Sequence, residues 1–232
     1  MKKVSSVLVT LVLAAGGVAV ASSTADAAGS VSATAAYWAA SDSRPAVQAL
    51  SKTDRSKLQS EIDQQLAATR GGVQISANEV SYNGGDPIVA LPLPGSATAP
   101  ASSAQALKQQ GATPTQVQQL TQSPDSLATD WHNCPAGAAD NRWYCFYEDA
   151  DFLGKRLQWN YEHCYDKVYF NNYGFENRTS GWVNTGVLTV RAFDTSSPLG
   201  PALLLWTEPA YTMASYIGDY TNDKADYFTA CK

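Results

Sequence analysis

Apolar and polar positions along this chain follow four rhythms in turn, and each predicts a different kind of element. The first is an apolar run over residues 7–21, behind Lys2 and Lys3 and ahead of small residues ending in Ala25-Asp26-Ala27. A positive start, an apolar stretch shorter than the ~20 residues a bilayer needs and an A-x-A site predict a secretory signal over residues 1–27. The second rhythm is helical. Leu58, Ile62 and Leu66 recur at i, i+4 and i+8, with Val47 and Leu50 extending the stripe upstream, so a helix is expected within 43–69, stopped by Gly71-Gly72. Loose alternation through Ile75, Val80 and Tyr82 then meets Asn83-Gly84-Gly85-Asp86, a hairpin turn whose residues accept positive φ, with Ile88, Val89 and Leu91 on the return strand. Residues 28–91 thus read as a small helix plus β-hairpin, an accessory segment or pro-region too thin to be stable alone.

The third rhythm is nearly empty of apolar residues. Ala, Ser, Thr, Pro and Gln dominate 92–130, with seven glutamines from Gln105 to Gln122. Apart from a short helix near 101–109, composition predicts a flexible tether. The fourth rhythm, over 131–232, is one of short aromatic and β-branched runs (144–147, 156–159, 187–193, 203–206) separated by Gly, Asn, Asp and Pro. About eight strands and a sandwich of Greek keys follow, so the fold class is all-β.

Composition sharpens this division. Of the 24 aromatic residues, 21 lie from Trp131 onward, as do all four cysteines. A net charge of −5 argues against nucleic acid or an anionic membrane as partner. Export to an oxidising compartment makes disulfides the expected state of Cys134, Cys145, Cys164 and Cys231. Three pairings exist and spacing does not choose among them; we expect Cys134–Cys145 and Cys164–Cys231. Zinc is disfavoured because no CxxC pair occurs. With only His132 and His163, and no HExxH, GxSxG or phosphate loop, no enzyme chemistry is expected. Glu148, Asp149 and Asp151 read as solvated turn residues rather than paired catalytic carboxylates.

Two degenerate repeats carry a resemblance. Phe146-Tyr147-Glu148-Asp149-Ala150-Asp151-Phe152-Leu153-Gly154 resembles the βγ-crystallin Greek-key signature, in which aromatics stack across a folded hairpin and glycine takes a backbone angle others resist. Leu205-Trp206-Thr207-Glu208-Pro209-Ala210-Tyr211 repeats the spacing 59 residues later, with Met213 at the glycine position. Asn177-Arg178-Thr179-Ser180 resembles the stretch whose serine pins the hairpin, and Asn222-Asp223-Lys224-Ala225-Asp226 echoes it. The words Cys134-Pro135-Ala136-Gly137, Cys145-Phe146-Tyr147-Glu148 and Tyr173-Gly174-Phe175 are similar to secreted bacterial proteins of peptidase inhibitor family thirty-six. That resemblance implies a βγ-crystallin-like double Greek-key sandwich and inhibition of a secreted proteinase, with metalloproteinases as a target class. A stiff, proline-bearing loop at 194–201, centred on Ser197, Pro198, Leu199 and Gly200, is the candidate inhibitory segment. No cofactor is required. Calcium is the one ion the crystallin resemblance admits, through Asn177, Ser180, Asn222, Asp223 and Asp226, hard oxygen donors that serve equally well to pin turns. The alternatives are a calcium-binding or structural extracellular module, and a glycan- or cell-wall-binding antimicrobial protein. A monomer is expected.

Overall fold

A computed structural model describes residues 34–38, 40–122, 131–137, 141–195 and 200–232. The expected signal segment, and Ser197, Pro198 and Leu199 of the expected inhibitory loop, lie outside the described residues. Among the described residues no helix is long and apolar enough to cross a membrane.

Eight strands form the carboxy-terminal body: β4 (Tyr144–Asp149), β5 (Leu153–Trp159), β6 (His163–Tyr169), β7 (Gly181–Asn184), β8 (Thr189–Asp194), β9 (Leu203–Glu208), β10 (Thr212–Ala214) and β11 (Tyr227–Cys231). They divide between two antiparallel sheets. In one, the order runs β5-β4-β7-β10; in the other, β6-β11-β8-β9. Each set of four consecutive strands leaves three in one sheet and sends its third across to the other. Strand β6 crosses to pair with β11, and β10 crosses to pair with β7. This reciprocal exchange makes the body a double Greek-key, βγ-crystallin-like sandwich.

Alternation along the strands places the rings inside. Phe228 of β11 sits 4.8 Å from Trp159, 5.1 Å from Phe146, 5.4 Å from Phe170 and 5.6 Å from Tyr144, measured between ring centroids. All five are fully buried. Their rings, drawn from both sheets, are the centre of the core.

The amino-terminal region joins this body rather than preceding it. Its long helix, Lys52–Ala68, starts where the Ser51 hydroxyl accepts from the Asp54 amide, and buries Leu58 and Ile62. Three short strands follow: β1 (Val73–Gln74), β2 (Glu79–Ser81) and β3 (Ile88–Ala90). The β2–β3 turn has Asn83 at φ 47°, Gly84 at 76° and Gly85 at 122°. At Gly85 a Cβ would come within 2.5 Å of the Gln109 carbonyl, so a side chain is excluded there. Strand β3 pairs with β5 through Ile88–Gln158, Val89–Leu157 and Ala90–Arg156. The larger sheet is therefore seven-stranded, with β1, β2 and β3 continuing it past β5. A segment too thin for its own core borrows one.

Of the expected tether over 92–130, residues 92–122 are described, and several of their side chains pack into the body. It carries two short helices, Ala104–Gln109 and Pro114–Gln122. Leu107, Val117 and Leu120 bury against Trp143. The Arg156 side chain is wholly buried and donates to the carbonyls of Ala99 and Pro100 at 3.2 and 3.0 Å, and to the Ser102 hydroxyl at 3.3 Å. Gln110 donates to the carbonyls of Gln158 and Gly85 and accepts from Gln158 Nε2 and Trp143 Nε1. Side-chain amides supply the order that apolar content does not, which is why composition misses it. Arg44 adds a second clasp, reaching Asp42 at 2.5 Å, Asn78 Oδ1 at 2.6 Å and the Ala101 carbonyl at 2.8 Å.

Candidate functional site

The β8–β9 hairpin forms one margin of the smaller sheet. Strand β9 pairs with β8 from Val190–Glu208 to Asp194–Leu203, and among the described residues its other edge has no strand beside it. Leu203 and Leu204, at the start of β9, are 48% and 47% exposed. An open backbone edge flanked by exposed leucines is a template for an extended partner chain. At the base of the tip, the backbone amide and hydroxyl of Thr195 both donate to Asp226 Oδ2, at 2.6 and 2.5 Å. Of Ser197, Pro198, Leu199 and Gly200, at the centre of the expected inhibitory segment, Gly200 alone is described, and it is exposed.

The far end of β9 is different. Glu208 is wholly buried at the last position before the chain crosses to β10 in the other sheet. Its Oε1 accepts from Trp206 Nε1 at 2.9 Å, while Oε2 has no partner among the described residues. Burial pushes its carboxyl up to about 8, with the Trp206 bond opposing the shift.

The residues expected to hold calcium fall in two loops related by the repeat. Asn177 and Asp223 both take left-handed backbone angles, φ 54° and 55°. They exchange reciprocal bonds: the Asn177 amide donates to the Ala225 carbonyl, and the Asp223 amide donates to the Thr179 carbonyl. Asn177 therefore corresponds to Asp223, not to Asn222, and the sequence echo is one residue out of step. The cause is a conformational requirement: Asn and Asp both tolerate αL, so identity of side chain does not fix the register.

These loops do not fit calcium, which wants six to eight oxygen ligands. In the first, Arg178 Nη1 sits 2.5 Å from Glu148 Oε1, placing a fixed positive charge among the acids. Burial, the Asp149 carboxylate and Glu148 raise the Asp223 carboxyl above its ordinary value, with Arg178 and a Ser180 hydrogen bond opposing. Asn222 spends its amide on Asp223 Oδ2. In the second loop Asp226 is committed to Thr195, and Ala225 stands where the first loop has the Thr179 hydroxyl. Ser180 pins the first hairpin instead, its amide donating to the Tyr147 carbonyl. Among the described residues, no group of three or more His, Cys, Asp or Glu is placed to hold a metal ion.

Cys134 bonds to Cys145, and Cys164 to Cys231. The second bridge spans 67 residues and ties β6 to β11, in the sheet that carries the hairpin. The two histidines are occupied separately. His132 stacks on Phe152 at 3.7 Å, and His163 Nε2 lies 3.0 Å from Asp86 Oδ1. A cleft of about 650 Å³ separates the long helix from the first Greek key. Its lining mixes Glu61, Glu148 and Glu176 with Lys155 and Arg178, and singles out no ligand class.

Sequence reasoning missed Arg156, Gln110 and Glu208. Arg156 heads a predicted strand beside Lys155, and nothing in the chain marks it, Gln110 or Glu208 as interior.

No protein-family model matches the chain, and no curated protein matches it. Among solved structures, the chain is similar to a βγ-crystallin domain from Clostridium beijerinckii, at 16% identity over 38% of this chain and 95% of that one, with a TM-score of 0.29. It is likewise similar to a clostrillin double mutant in complex with nickel, at 16% identity over 39% of this chain and 98% of that one, TM-score 0.30.

Proposed function

We propose that this chain is an exported, non-catalytic proteinase inhibitor that offers the β8–β9 hairpin to a protease cleft. The observation that carries the reading is the edge of β9 left unpaired among the described residues, with Leu203 and Leu204 exposed on a strand already extended. Proteases engage extended backbone, and a strand held by its neighbours loses little entropy on binding. The Cys164–Cys231 bridge and the Thr195–Asp226 bonds hold the hairpin's support in place. Metalloproteinases are the first class to try, on the strength of the sequence resemblance, and the signal segment supplies the route to an extracellular target.

The test is a panel of metallo- and serine proteinases titrated with the mature chain. Stoichiometric loss of activity is expected, abolished by Leu203→Arg with Leu204→Arg while thermal stability is unchanged. Full activity of every proteinase at saturating protein would remove the reading. A structural extracellular module is the second reading, favoured by the Arg178–Glu148 contact, which occupies a loop with the protein's own cation. It expects no inhibition and no response to calcium.

A further inference from the structure

We infer that Glu208 is a proton-operated latch on the β8–β9 hairpin: neutral, it keeps the end of β9 docked between the sheets, and on giving its proton to water it releases that end. The geometry carries this. Glu208 closes β9 at the crossover, pairs with Val190 of β8 and has no solvent exposure. Among the described residues one carboxyl oxygen has a single donor, the Trp206 indole, and the other has none.

Among the described residues nothing packed around it compensates a negative charge. From β4, the titratable group facing it is Tyr144, whose phenol is itself pushed well up by burial, Asp86 and Glu208, and whose hydroxyl donates to the Tyr161 carbonyl. From β7, Asn184 spends its amide on the Leu188 and Glu208 carbonyls. Among the described residues no Lys, Arg or His pairs with Glu208. An ionised Glu208 therefore needs water, and the nearest route to it is separation of β9 from the sandwich.

The raised value supports the direction. A released Glu208 ionises near 4.5, while the docked one holds its proton to about 8. The latch thus contributes fully below pH 4.5, weakens as pH rises, and is spent above about 8. Across that window the opening equilibrium of β9 is expected to rise by at most on the order of 10³-fold. The consequence for inhibition rests on the hairpin reading above; the latch itself does not.

The experiment is an NMR titration of the full mature chain from pH 4 to 10. It follows the Glu208 carboxyl carbon, the Trp206 indole N–H and amide exchange along β9 corrected for intrinsic rates. A common midpoint near 8 with faster exchange above it is expected, and Glu208→Gln should abolish both the Trp206 shift and the excess exchange. A Glu208 midpoint in the ordinary carboxylate range, or identical pH dependence of β9 exchange in the two proteins, would overturn the latch. Should the variant fail to fold, the wild-type midpoint decides alone. A latch that titrates as expected beside a proteinase panel without inhibition separates the two ideas, leaving the first standing and the second refuted.

Discussion

The two halves of this molecule share one apolar core, in which Val47, Leu58, Ile62 and Val80 join the rings of the body, but they differ in what is added to it. In the Greek-key body, Tyr144, Phe146, Trp159, Phe170 and Phe228 pack ring on ring, and burial of apolar surface is the main stabilising term. In the described part of the preceding region, Leu58, Ile62 and Val80 enter that core, and Arg44, Gln110 and the strand pairing of β3 with β5 bind the chain through directional polar groups as well. The first kind of cohesion is nondirectional and tolerant. The second is exacting: each buried amide left without its partner costs about 1–3 kcal/mol. A region with too few apolar residues for a core of its own thus becomes part of a fold it could not build alone.

This contrast can be broken most severely by separating the halves. A fragment of residues 131–232 bares the β5 edge, Trp143 and the Arg156 guanidinium, so it should lose its cooperative melting transition and bind hydrophobic dye. A dye-free fragment with a sharp transition would show the body to be self-sufficient. Within the body, Phe228→Ala removes the ring shared by both sheets and should cost about 4 kcal/mol in chemical denaturation. Within the preceding region, Gln110→Ala strands Trp143 Nε1 and both the amide and carbonyl of Gln158, at an expected cost of about 3 kcal/mol although little apolar area is lost. Equality of that cost with an ordinary surface substitution would discredit the amide clasp. The smallest effect belongs to Arg178→Gln. Its side chain is 53% exposed, so loss of the Glu148 pair should change stability by no more than about 1 kcal/mol. Wild-type melting should not move with millimolar calcium.

The apolar stripe of Leu58 and Ile62, the Asn83-Gly84-Gly85-Asp86 turn and the aromatic spacing of the repeats were legible because each is a local pattern with a local cause. The standing of 92–122 was not. Glutamine looks the same in a tether and in a buried network, and only the fold supplies the carbonyls of Gln158 and Gly85 that Gln110 meets. Spacing likewise reveals oxygen donors but not that Arg178 reaches Glu148, or that Asp226 serves Thr195. Glu208 was invisible because a carboxylate beside a proline reads as a turn, whereas the crossover carries it inside.

Native-state hydrogen exchange comparing β3 with β5 tests most directly whether the two halves are one folding unit. The account predicts that the amides of Val89 and Leu157, paired across that junction, open with the same free energy, equal to that of global unfolding. Exchange of the β3 amides at a distinctly lower free energy, with β5 and β4 still protected, would contradict it.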